Sequence, residues 1–234
     1  ISTDMEGVYG DALQIDALTL TPIEGTGLVN GETAEQAIRP YYDFKVVDQD
    51  GGKLEVSQTP YPIQAAPKAD AAAECNYEVT FRDGAYWVNP RPVTITILDQ
   101  ESPYGCEVAP GVAEKEHYTV EYTGGTGKQA IIAGDALGIQ LTTQASASQP
   151  AGSYALQAQK TGADAENYAV TFKGQTPWAG SVQDGTPANE AFGTYTIGKA
   201  ALEIAFEQHD RQTFDLAFTS TYTETVKLKN QDSG

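Results

Sequence analysis

The chain has 234 residues, with 32 Asp and Glu against 14 Lys and Arg, for a formal net charge of −18. Such a surface repels phosphate backbones and offers no Lys/Arg cluster to an anionic bilayer, so nucleic acid and direct membrane insertion are excluded as expectations. No apolar run approaches the roughly 18 residues that a spanning helix needs.

The length suffices for two domains of about 100 residues, each with its own core. Gly (23), Pro (12) and Tyr (13) are abundant and Met occurs once, which suits short strands and tight turns better than helices. Ile1-Ser2-Thr3-Asp4 leads almost directly into patterned sequence, so the chain is expected to be an excised piece of a longer protein.

Repeat one opens on Val8-Tyr9-Gly10-Asp11, followed by Gly27-Leu28-Val29-Asn30-Gly31-Glu32-Thr33-Ala34. Phe44 and Val46 then share one face of a predicted strand. The prolines around Tyr61 (Pro60, Pro62) cannot donate ladder hydrogen bonds, so the next strand is expected at an edge. Cys75-Asn76-Tyr77-Glu78-Val79-Thr80-Phe81 alternates large apolar groups, a period of two that predicts a strand burying Tyr77, Val79 and Phe81. Asp83-Gly84 predicts a hairpin turn into a strand that holds Trp87 packed. The closing strand puts Val93, Ile95 and Ile97 on one face.

Repeat two runs through the same order. Pro103-Tyr104-Gly105-Cys106 opens it, and Ile132-Ala133-Gly134-Asp135 echoes the Gly-acid pair of repeat one. Leu137, Ile139 and Leu141 share a face, and Ala151-Gly152-Ser153-Tyr154 leads the next strand. Glu166-Asn167-Tyr168-Ala169-Val170-Thr171-Phe172 matches the earlier motif, with Tyr77/Tyr168, Val79/Val170 and Phe81/Phe172 all 91 residues apart. Beyond a loop containing Trp178, residues 193–197 and then Leu202, Ile204 and Phe206 form the closing strands. Residues 213–218 and 223–228 are also strand-like.

These motifs resemble the mostly-β, glycine-rich (MBG) repeats of bacterial surface and secreted proteins. The resemblance rests on Tyr9-Gly10-Asp11, on Gly27 through Thr33, on Asn76 through Phe81, and in repeat two on Tyr104-Gly105, Ala151 through Tyr154 and Asn167 through Phe172. Repeat one departs from it at Thr59-Pro60-Tyr61, and repeat two in lacking most of the Gly-Leu-Val-Asn-Gly segment. The resemblance implies a non-catalytic stalk or adhesin outside a bacterial cell, without cofactor. Its implied partners are further repeats of the same chain and a host or matrix glycan or protein. Surface modules of this kind sometimes carry Lys–Asn isopeptide cross-links beside a buried carboxyl, but no pair stands out in this sequence.

The expected fold is all-β: two tandem immunoglobulin-like β-sandwich modules over 1–99 and 100–206. Residues 207–234 are then the start of a further unit or extra strands of repeat two. β-Grasp-like modules are the alternative. Independent modules also predict that Tyr168 serves repeat two alone.

Motifs that carry chemistry are few. Tyr122 through Gln129 looks like a phosphate loop but lacks its leading Gly and its metal-binding hydroxyl, so a hairpin turn is expected. Asp48-Gln49-Asp50-Gly51-Gly52 has calcium-loop oxygens without the later bidentate Glu, which favours a turn. His117 and His209 show no metal or triad spacing and are expected at the surface. Cys75 and Cys106 are either isolated thiols or a disulfide staple across the repeat junction. The alternative function is carbohydrate binding, with Trp178, Tyr41 and Tyr42 as stacking aromatics.

Overall fold

The computed structural model describes residues 4–23, 27–47, 53–69, 71, 74–175, 190–204 and 226–228. The chain is all-β and divides into two compact units, each discontinuous in sequence. The first comprises Ile1–Thr96, Thr119–Gln140 and Gln159–Lys173; the second comprises Ile97–Tyr118, Leu141–Ala158 and Gly174–Gly234. Two stretches of the second sequence repeat therefore lie within the first compact unit.

In the first unit, β1 (Asp4–Val8), β2 (Tyr42–Val46), β3 (Tyr61–Pro67) and β4 (Gly84–Asn89) form a sheet in the order β1-β4-β3-β2. β1 runs parallel to β4, with Val8 opposite Asn89. β3 runs antiparallel to β4, with Tyr61 opposite Tyr86. Thus β3 lies inside the sheet rather than at the expected edge. Pro62 is tolerated there because it turns its carbonyl towards Val47 N (2.8 Å), just past the end of β2. An antiparallel residue points N–H and C=O the same way, so the missing donor faces the side where that ladder has already ended. A single turn of helix, α1 (Ala34–Ala37), starts at a Thr33/Gln36 capping box and buries Ala34 and Ala37.

The same unit holds a second sheet made of β5 (Arg91–Ile97), β7 (Tyr118–Tyr122) and β10 (Tyr168–Gly174), in the order β10-β5-β7. β5 is the closing strand of repeat one, whereas both of its neighbours come from repeat two. Its inward residues Val93, Ile95 and Ile97 are fully buried, as their alternation predicts. Each contributes roughly 1.5–3 kcal/mol.

The second unit repeats the first arrangement. β6 (Gln100–Pro103), β8 (Ile139–Thr143), β9 (Gly152–Lys160) and β11 (Gly193–Gly198) form a sheet in the order β6-β11-β9-β8. β6 is parallel to β11, with Pro103 opposite Gly198. β9 is antiparallel to β11, with Tyr154 opposite Tyr195. The strand order repeats β1-β4-β3-β2, and the registers of β6 on β11 and β9 on β11 match those of β1 on β4 and β3 on β4. A short antiparallel pair, β12 (Leu202–Ile204) and β13 (Val226–Leu228), completes the described strands.

Three sequence expectations need correction. Residues 75–82 alternate between half-buried and exposed but join no ladder, and the chain bends at Asn76 and Tyr77, so the first Asn-Tyr segment is not a strand. Asp83-Gly84 makes no hairpin, because β4 takes β1 and β3 as its neighbours and Gly84 does not adopt positive φ. Trp87 projects from the outer face of β4 and is exposed, not packed. Residues 205–225, with Phe206, His209 and the 213–218 segment, fall outside the described residues.

Candidate functional site

The repeated Asn-Tyr motif has a specific local task. In repeat two, the Tyr168 hydroxyl donates to Asp135 Oδ2 at 2.6 Å and accepts from Ile132 N at 2.9 Å. In repeat one, the Tyr77 hydroxyl donates to Glu32 Oε2 and accepts from Val29 N at 3.1 Å. In both copies the Tyr clasps an acid and the backbone N–H three residues before it. The acid follows a glycine at positive φ, Gly31 (74°) or Gly134 (93°), which turns the carboxylate back to the Tyr without strain.

The two copies of this lock differ in what surrounds them. Around Asp135, the Tyr9 hydroxyl donates to Oδ2 at 2.8 Å and Lys53 Nζ lies 2.6 Å from Oδ1. Lys53 also sits over the Tyr9 ring, 4.5 Å from its centre, and the Tyr9 and Tyr168 rings meet edge-on at 5.5 Å. The Asp135 side chain is only 6% exposed, against 38% for Lys53. Asn167 adds a further tie, accepting from Val56 N at 2.9 Å. Tyr9, Lys53 and Val56 all belong to repeat one. Tyr168 therefore does not serve repeat two alone; its hydroxyl closes a network with repeat one inside the first compact unit.

Electrostatics hold this network in one protonation state. Burial pushes the Asp135 carboxyl up, but hydrogen bonds from Lys53, Tyr168 and Tyr9 outweigh it, and the group ends below the usual carboxylate range. Burial opposes the charge on Lys53, yet Asp135 and Tyr9 together raise its pKa. Burial, reinforced by Asp135, drives the Tyr168 phenol far above its ordinary value; the Tyr9 phenol is also raised, chiefly by burial. A Lys–carboxyl amide bond would need a neutral amine and a protonated acid. This pair is held in the opposite state, as an ion pair.

A second polar cluster stands beside the first. Arg91 is buried and donates through Nη1 to Tyr9 O (3.1 Å) and Asp11 Oδ1 (3.0 Å), and through Nε to Gln129 O and Ala130 O (3.2 Å each). Its guanidinium stacks 4.3 Å from the Tyr122 ring centre. Burial pushes the Asp11 carboxyl up, but Lys128 and Arg91 bring it below its ordinary value. Asp11, Arg91, Lys128 and Gln129 help line a cleft of about 530 Å³. Arg91 and Lys128 share the single carboxylate of Asp11, which balances one of their two positive charges. Gly10 closes the approach: at φ 75°, a Cβ on it would lie 2.4 Å from Ile132 Cδ1.

The residues predicted from sequence to bind a ligand do not come together. Tyr42 packs edge-on against Phe81 at 4.8 Å, and Tyr41 ends a 3₁₀ turn, its carbonyl accepting from Lys68 N at 2.9 Å. Trp178 and the Asp48–Gly52 stretch (48–52) lie outside the described residues. Cys75 and Cys106 are both free thiols, so the staple is not formed; Cys75 Sγ faces Ala37 O at 3.7 Å and Cys106 is exposed. His117 is half-buried, its Nδ1 accepting from Ala113 N at 3.0 Å. The glycines after Tyr122 form an irregular bend rather than a hairpin turn, with Lys128 tied to Asp11.

Among the described residues, no three His, Cys, Asp or Glu side chains cluster as metal ligands, and no helix is long and apolar enough to cross a membrane. Sequence reasoning found the Gly-acid echo but not its purpose, and it missed Lys53 and Arg91 altogether. The shared three-residue step from Val29 to Glu32 and from Ile132 to Asp135 was the available signal. By fold and by site, this is an all-β chain with a duplicated sheet and, within the first compact unit, two tyrosine–carboxylate locks. No family model matches it, and neither a curated protein nor a solved structure does.

Proposed function

We propose that the chain is a non-catalytic structural segment of a bacterial cell-surface or secreted protein, a stalk or adhesin element that holds extension. One observation carries this reading: the first strand of each repeat lies parallel to, and beside, its return strand, β1 on β4 and β6 on β11. Tension applied between the start of β1 and the end of β4 pulls two parallel neighbours in opposite directions. Every rung of the ladder is then loaded together in shear instead of opening one by one. The duplicated sheet places the same clamp in series, and the locked Asp135 network ties repeat two to repeat one.

The location outside a bacterial cell, and a host or matrix partner, come with the resemblance to the MBG repeats. The tandem immunoglobulin-like description of the modules is likewise part of this proposal. The carbohydrate-binding alternative has less support, since Tyr42 is committed to Phe81 and Tyr41 to its turn. Stretching single molecules tethered at both ends tests the reading. Two high-force unfolding events are expected, and Glu6→Pro in β1 should lower the force of one only. Equal, low forces for wild type and variant would remove the mechanical role.

A further inference from the structure

The two tyrosine locks hang from turns of the same build, and the turns differ at one chemically telling position. In repeat one, Glu32 N closes on Val29 O at 3.2 Å around Asn30 (φ 61°) and Gly31 (φ 74°). In repeat two, Asp135 N closes on Ile132 O at 3.0 Å around Ala133 and Gly134 (φ 93°). Each turn supplies both partners of its Tyr hydroxyl: the N–H of its first residue and the carboxylate of its fourth. The second residue is Asn in one turn and Ala in the other.

The carboxamide carbon of an asparagine can reach the next peptide nitrogen, and bonding to it closes a five-membered ring. A side chain on the following residue crowds that approach, whereas glycine leaves it open and lets the backbone swing. Of the six asparagines in the chain, only Asn30 precedes a glycine. Asn89 precedes Pro90, which has no N–H to offer, and Asn76 and Asn167 precede tyrosines. Asn30 and Gly31 are both exposed, and a Cβ on Gly31 would meet nothing within 4 Å, so the peptide between them has room to move. Neither the Asn30 carboxamide nor the Gly31 N–H has a hydrogen-bond partner among the described residues.

This exposure does not depend on what is laid over the lock. Around Asp135 the lock is enclosed by Tyr9 and Lys53, yet Ala133 and Gly134, at the same two positions, are exposed. The outer side of the turn therefore faces solvent in both environments.

We propose that Asn30 is a site of self-modification, deamidating to aspartate and isoaspartate and so releasing the Tyr77 lock. The Gly31 nitrogen, on losing its proton, attacks Asn30 Cγ. The new C–N bond forms, the bond to the carboxamide nitrogen breaks, and that nitrogen leaves as ammonia, giving a succinimide. Water then opens the ring. Breaking the Cγ–N bond gives aspartate; breaking the bond to the original backbone carbonyl gives isoaspartate, whose chain runs through Cβ and Cγ. Water is the only co-reactant, and no electrons are exchanged.

Isoaspartate adds one carbon to the backbone between Val29 and Glu32. The Tyr77 hydroxyl needs Val29 N, at 3.1 Å, and the Glu32 carboxylate at the same time, so the lengthened turn can no longer present both. Ala133 gives the Tyr168 lock no such route. One lock is thus chemically perishable and its twin is permanent, a distinction that does not rest on the stalk reading.

Ageing the intact chain at mildly alkaline pH in heavy-oxygen water is the test, followed by intact mass and peptide mapping. Wild type should exchange one amide for one labelled acid at Asn30, with isoaspartate the larger product by enzymatic carboxyl methylation. Asn30→Ala should leave that peptide unchanged. Gly31→Ala, which has room for its Cβ, should slow the reaction about tenfold or more. The Tyr77 phenol is held above its ordinary value, first by its bond to Glu32. Its ring signals in NMR should therefore titrate at lower pH in the aged chain than in the fresh one, while those of Tyr168 stay in place.

The proposal is overturned by a wild type that keeps its mass, or by modification that maps to other asparagines ahead of Asn30. It is equally overturned by a Gly31→Ala chain that reacts as fast as wild type, or by an aged chain whose Tyr77 titrates as before.

Discussion

The two tyrosine locks are alike in sequence and in hydrogen bonding, but they occupy different environments. Tyr168 and Asp135 are enclosed by Tyr9, Lys53 and the Gly10 turn, whereas Tyr77 and Glu32 make the same bonds at the surface. The motif alone therefore does not create a core. It becomes one only where a preceding Tyr-Gly turn and a closing strand are laid over it. In this architecture the repeat is a unit of sequence, while the first compact unit combines nearly all of repeat one with two stretches of repeat two.

The sharpest way to break the comparison is to remove each acid. Asp135→Ala leaves two buried phenols and Lys53 without their acceptor and is expected to destabilise the first unit by about 3–5 kcal/mol. Glu32→Ala should leave the chemical-denaturation midpoint close to wild type. Equal effects from the two would mean that the enclosure of Asp135 contributes nothing.

Next come the paired turn glycines, Gly10 and Gly105, both at positive φ. Gly105→Ala meets open space and should cost only the backbone penalty of about 1–2 kcal/mol. Gly10→Ala bears the same penalty and also drives a Cβ into Ile132, so its melting temperature should fall further. Tyr168→Phe, which deletes two hydrogen bonds, should cost about 1–3 kcal/mol. Tyr77→Phe should be nearly silent in the same unfolding curve.

The pH dependence gives the smallest and broadest signal. Asp135 and Asp11 have folded pKa values below their unfolded ones, so their stabilisation is present above the ordinary carboxylate pKa and is lost as pH falls through the folded values, below about pH 4. Lys53, Tyr9 and Tyr168 have raised values, so their stabilisation holds below about pH 10 and is lost as pH rises through the folded values. Thermal melts should show a plateau between those limits. In Asp135→Asn, both the acid and the alkaline slopes should flatten.

Much of the sheet architecture was legible because period-two alternation acts locally. β2, β4, β5 and β11 lie where their alternating residues place them, and the 91-residue echo announced the duplication. What the pattern could not convey was partner choice. Val93, Ile95 and Ile97 read as an inward face, but nothing in them says that the strands flanking β5 come from the following repeat. The same gap explains the error at 76–81: the residues are strand-competent, yet a strand needs a neighbour, and the described neighbour of that motif exists only for repeat two. Pro62 misled for a related reason, since a missing donor is harmless where the adjoining ladder has ended. At the site, Lys53 and Arg91 left no motif because isolated cations acquire meaning only from the carboxylates that the fold brings to them.

The central claim is that repeat one and repeat two share a single buried network through Asp135. A double-mutant cycle with Tyr9→Phe and Asp135→Asn, read by equilibrium unfolding, tests it most directly. The account predicts a coupling of about 1 kcal/mol or more between these residues, which lie 126 positions apart in sequence. Additivity within about 0.3 kcal/mol would contradict it.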